Sequence, residues 1–148
     1  MNLYVELKKR QQKRVDEFLH KYAFFAFSEK QFKEGLQKLG TTEDKLTALA
    51  GLGGFILTDH LPEFKEILRQ NAAEQQKAIE DTLTGGEFAY QMFLYELANH
   101  EYSYTGDYIE TLDALGYSVE DVTSNPVLLD ALDRARRQLL TEAQGAED

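Results

Sequence analysis

No lysine or arginine occurs between Lys77 and Arg134, yet those 56 residues carry 12 carboxylates, from Glu80 to Asp133. A surface built from this stretch is negative. Binding to DNA or RNA rests on lysines and arginines that displace condensed counterions from the phosphates, so this half of the chain is repelled by nucleic acid. Residues 1–77 hold 13 basic and 11 acidic side chains and residues 134–148 hold three of each, so the formal net charge of −10 arises in the middle. The partner this layout attracts is a basic protein surface. A solvated acidic face with no electrostatic role accounts for the same composition.

Cysteine is also absent, which excludes disulfides and thiolate metal sites. No apolar run approaches the roughly 18 residues that a membrane span needs. The first residues, with Glu6 followed by Lys8, Lys9, Arg10, Lys13 and Arg14, lack the apolar core and cleavage site of a signal peptide. These features lead to the expectation of a cytoplasmic protein with no membrane partner. At 148 residues, 43% hydrophobic and 11% aromatic, the chain is the size of one ordinary domain and carries enough apolar surface to fold alone.

The pattern along the chain predicts an α+β fold that is predominantly helical, with about five to six helices and a small two- or three-stranded antiparallel sheet in the N-terminal half. Residues 2–21 read as a helix with a very polar middle, where five basic residues between 8 and 14 form a solvated face rather than a nucleic-acid patch. The aromatic run 22–27 reads as a buried strand. Ser28 caps a second helix, with Gln31 at the capping-box position, Phe32, Leu36 and Leu39 on one face, and Gly40 at its end. Apolar residues on either side of Gly51, Gly53 and Gly54 suggest two more strands, near 45–50 and 55–58, joined by a glycine turn. No Lys-Ser or Lys-Thr follows these glycines and Ile56 stands where a dinucleotide fingerprint needs glycine, so a turn explains them better than a phosphate loop.

From Leu61 onward the reading is helical. Pro62 opens a helix to about Thr82, and Gly85-Gly86 breaks it. Residues 87–102 are apolar on nearly every side and belong at the centre of the fold. A short helix carries Ile109, Leu112 and Leu115 up to Gly116, Ser118 and Asp121 mark a brief turn, and Asn125-Pro126 starts the last helix. The expected organisation is one domain over 1–148: helix plus sheet to about 60, helices over about 61–141, and a frayed tail at 142–148.

The densest polar cluster surrounds Glu96, His100 and Asp107. Glu96 and His100 stand at i,i+4 on a helix, a spacing that presents a carboxylate and an imidazole to one metal ion or one proton transfer. A third ligand would have to come from Asp107, His60 or His20. The structural alternative is that Glu96 and His100 satisfy neighbouring backbone groups or tyrosine hydroxyls and fix a helix junction. No metal or other cofactor is required by the sequence. Serine nucleophile chemistry has no glycine elbow to support it. Residues 107–133 can be drawn as helix, turn, helix, but Asp107, Glu110, Asp113, Glu120, Asp121, Asp130 and Asp133 have no basic neighbour, which excludes the usual DNA reader.

The phrases Phe24-Phe25-Ala26-Phe27-Ser28 with Gln31-Phe32, Gly53-Gly54-Phe55-Ile56, and Tyr95-Glu96-Leu97-Ala98-Asn99-His100-Glu101-Tyr102 with Thr105, Asp107, Thr111-Leu112 and Leu115-Gly116 resemble a family of small uncharacterised proteins encoded by phages and mobile elements of gut bacteria. The resemblance spans about residues 22–135 and implies a genomic setting rather than a mechanism. By analogy with that setting, the leading expectation is a non-enzymatic interaction protein that inhibits a basic nucleic-acid-handling host or defence protein, in the manner of an anti-CRISPR or a DNA mimic. Its partner-binding carboxylates are expected to be Glu110, Asp113, Glu120, Asp121, Asp130 and Asp133. The alternatives are a metal-assisted hydrolase using Glu96, His100 and Asp107, and a structural homo-oligomer in which the basic first helix meets the acidic half of another copy.

Overall fold

Twenty consecutive residues without glycine or proline, Leu3–Tyr22, form the first helix, α1. The computed structural model describes residues 2–51 and 53–147. The chain makes two compact units, residues 9–74 and residues 1–8 together with 75–148.

In the unit of residues 9–74, the aromatic run turns directly from α1 into strand β1, Ala23–Phe25. Helix α2, Glu29–Leu39, follows. The Ser28 side chain accepts the Gln31 N–H at its start, and Gly40 ends it in the left-handed conformation that glycine adopts without strain. Strands β2, Leu46–Leu49, and β3, Gly54–Leu57, complete an antiparallel sheet in the order β1-β3-β2, with Phe24 opposite Phe55 and Thr47 opposite Ile56. Ala23, Phe24 and Ile56 are buried. Phe24, Phe32 and Phe55 interlock at centroid separations of 5.0–5.7 Å, which fastens α2 to the sheet. The polar middle of α1 is explained by helix α3, Leu61–Glu80. Gln11 donates to the Asn71 carbonyl and to Glu74, and Arg14 donates to the Asn71 side chain. The two helices thus meet through these hydrogen bonds and through the stacked rings of Phe18 and Phe64, 6.0 Å apart.

In the other unit, α4, Gly85–Asn99, and α8, Pro126–Glu147, form the main packing pair. Buried alanines on both, Ala89, Ala131 and Ala135, permit close approach, and Phe88, Met92, Phe93, Leu97, Leu128 and Leu132 fill the core. Tyr4 and Leu7, from the start of α1, are buried in the same cluster. Between α4 and α8 lie three short helices: α5 (Tyr102–Thr105), α6 (Ile109–Leu115) and α7 (Val119–Thr123).

The α+β class, the helical predominance and all three strands agree with the sequence expectation. The helix count is eight among the described residues rather than five or six. The difference arises because the helix expected over 87–102 stops at Asn99. Glu101 takes a left-handed conformation, φ 57°, the sole non-glycine residue to do so among those described, and α5 starts afresh beyond it. Ser118 and Asp121 form a full capping box, so the expected turn is a helix. At the other end α8 continues through 142–147, where fraying is expected from sequence; Asp148 lies outside the described residues.

Candidate functional site

The face of α4 that carries Glu96 is otherwise apolar, and Glu96 is 8% exposed. A carboxylate in that position needs partners. The Tyr4 hydroxyl donates to its Oε1 at 3.2 Å, and the Nε2 of His100, one turn further along, stands 3.9 Å from its Oε2. The other ring nitrogen of His100, Nδ1, stands 3.6 Å from Glu110 Oε1 on α6. His100 therefore sits between a buried and an exposed carboxylate. The chain Tyr4, Glu96, His100, Glu110 links three helices, with a carboxylate oxygen near each nitrogen of the imidazole. Burial is the main cause that raises the Tyr4 pKa well above its ordinary value, and the neighbouring Glu96 charge adds to it.

Asp107 does not join this group. Its carboxylate accepts the Ile109 N–H at 2.9 Å and its own N–H donates to the Thr105 hydroxyl, so it shapes the entry to α6. Among the described residues no three His, Cys, Asp or Glu side chains converge in a way that could hold a metal ion. His60 stacks on Tyr22, with ring centroids 3.8 Å apart, and faces Glu63 at 3.2 Å, while His20 lines a groove between α1 and α2.

The six carboxylates expected to meet a partner are all exposed and lie on three helices of one unit: Glu110 and Asp113 on α6, Glu120 and Asp121 on α7, Asp130 and Asp133 on α8. Three of them do internal work. Glu110 faces His100, Asp121 accepts the Ser118 N–H at 2.9 Å, and Asp133 lies 3.8 Å from Arg136. Among the described residues, no side-chain hydrogen bond or ion pair engages the carboxylates of Asp113, Glu120 or Asp130.

A model of the family described as "Family of unknown function (DUF7659)" matches residues 3–138. The chain belongs to this family. Neither curated proteins nor solved structures provide a match. The family's extent takes in the whole Tyr4 to Glu110 network and all six carboxylates.

Two members of the network escape sequence reasoning. Tyr4 is separated from Glu96 by 92 positions, and its sole signal is its place one turn before Leu7 on the apolar side of α1. Glu110 replaces Asp107 beside His100 because the left-handed Glu101 and Gly106 redirect the chain before α6 begins. Also absent from the sequence reading is Arg136, whose Nε donates to the Tyr102 hydroxyl at 2.8 Å.

Proposed function

We propose that this protein acts by binding, and that its acidic helical face covers a basic surface on a protein partner. The observation that carries this reading is the set Asp113, Glu120 and Asp130: exposed carboxylates on three helices, none engaged by a side-chain partner among the described residues, within a stretch devoid of lysine and arginine. Uncompensated surface charge of one sign speeds encounter with the opposite sign and rejects like-charged polymers. The resemblance to small proteins of phages and mobile elements supports a more specific form of the reading. In it the partner is a nucleic-acid-handling host or defence protein, met in the cytoplasm, whose phosphate-binding surface the carboxylates occupy. The Tyr4 to Glu110 network serves as a structural tie that holds α1, α4 and α6 in place beneath that face.

The test is capture from a host lysate with the wild-type chain and with a triple variant, Asp113→Lys, Glu120→Lys and Asp130→Lys, which spares the carboxylates engaged inside the fold. A basic protein retained by the wild type and lost with the variant supports the reading. Retention unaffected by the variant, or direct retention of the wild type on duplex or single-stranded DNA at physiological salt, overturns it.

A further inference from the structure

The three arginines that end the cation-free stretch, Arg134, Arg136 and Arg137, all lie on α8. Arg134 is engaged by Glu87 at 3.8 Å and stacks over Tyr90 at 4.4 Å. Arg136 and Arg137 border a groove of about 360 Å³ together with Tyr102, Asp133 and Leu140. That volume falls within the range of small-molecule sites.

Arg136 is tied to two tyrosines. Its Nε donates to the hydroxyl of Tyr102, a residue only 1% exposed, and its guanidinium lies 4.7 Å from the Tyr108 ring centroid. Its Nη1 is 3.8 Å from Asp133, too far for a hydrogen bond. Arg137 donates from Nε to the Asp133 carbonyl, at 3.3 Å. The terminal nitrogens of both guanidinium groups therefore retain donors, and the Tyr102 hydroxyl, which accepts from Arg136, retains its own proton. These donors suit the two oxygens of a carboxylate. The Asp133 carboxylate in the same groove suits a cation, and Leu140, 42% exposed, offers an apolar wall.

Charge decides the ligand class. A phosphate dianion would meet Asp133 inside the groove and a net charge of −10 on the chain around it, whereas a zwitterion enters without net repulsion. We propose that this groove binds a free α-amino acid with an aliphatic side chain. Its carboxylate is received by Arg136, Arg137 and Tyr102, its ammonium by Asp133, and its side chain by Leu140.

The experiment is a titration of the full chain with L-leucine, followed by backbone amide NMR. The controls are 4-methylpentanoate, which lacks the ammonium, 3-methylbutylamine, which lacks the carboxylate, and inorganic phosphate. Saturable shifts centred on Tyr102, Arg136 and Leu140 are expected with leucine. Either organic control, and leucine with Arg137→Ala or Asp133→Asn, should bind at least about tenfold more weakly. Both substituted side chains are exposed, and an unchanged spectrum away from the groove verifies the fold of each variant. Equal binding of 4-methylpentanoate or phosphate would make the groove a plain anion site and overturn the proposal. So would the absence of saturable shifts with leucine, isoleucine and valine up to about 20 mM, an affinity below any useful small-ligand range.

Discussion

The ring of Phe24 fills the space where a side chain on Gly35 would begin: a Cβ on Gly35 would stand 2.1 Å from Phe24 Cδ2. Helix α2 therefore approaches the sheet as closely as a bare backbone allows. Alanine within a helix ordinarily gains about 1 kcal/mol over glycine. Here the sign reverses, because Phe24 is buried and packed against both Phe32 and Phe55, and its displacement would disturb those contacts. Gly35→Ala is expected to destabilise by about 1–3 kcal/mol in urea unfolding. Adding Phe24→Leu should return part of that loss. A stabilised single variant would show that the ring yields.

Tyr4 supplies a pH dependence. Its folded pKa is raised above the ordinary value of 10.0, chiefly by burial. Its contribution is complete below that value and is lost as the pH climbs beyond it, because the folded state resists ionisation that the unfolded chain accepts. Burial, with help from Asp121, shifts Tyr117 in the same direction. Unfolding free energy should fall above a pH of about 10, and Tyr4→Phe should flatten that fall without abolishing it. At neutral pH the same variant should cost about 1–3 kcal/mol, since Glu96 loses a donor. An unchanged alkaline slope would place Tyr4 outside the buried network.

Phe93, fully buried on α4, tests the helical core. Phe93→Ala is expected to cost about 3–5 kcal/mol, the usual loss for a large buried ring. A melting temperature equal to that of the wild type would contradict the central placement of α4.

The parts of the fold legible in sequence are those written by local rules. The Ser28 cap, the Gly40 and Gly116 stops, the Ser118 and Asp121 pair and the aromatic strand all depend on residues within one turn of each other. The break at Glu101 was not legible, because nothing local favours a left-handed glutamate over a helical one; the buried Tyr102 and the ties of Glu96 and His100 on either side hold it there. The expected break before Gly85-Gly86 is present, since α3 ends at Glu80, but Gly85 is itself the first residue of α4. A Cβ there would stand 2.0 Å from the Ile79 carbonyl oxygen, a contact that depends on how the chain returns from α3. The candidate site divides in the same way. Glu96 on α4 and His100 at its C-cap stand one turn apart and follow from spacing, whereas Tyr4 and Glu110 reach them from other helices. The acidic surface was legible in full, since charge counts need no geometry, but the division of its carboxylates into engaged and unengaged needed the fold.

The most direct test of the binding account is the association rate with a captured basic partner, measured by stopped flow at low and at physiological salt. The wild type should associate at least about tenfold faster than the Asp113→Lys, Glu120→Lys, Asp130→Lys variant at low salt, and the gap should narrow as salt screens the charges. The two chains should melt alike, because exposed charges contribute little to stability. Equal association rates at low salt would contradict an electrostatic role for the acidic helical face.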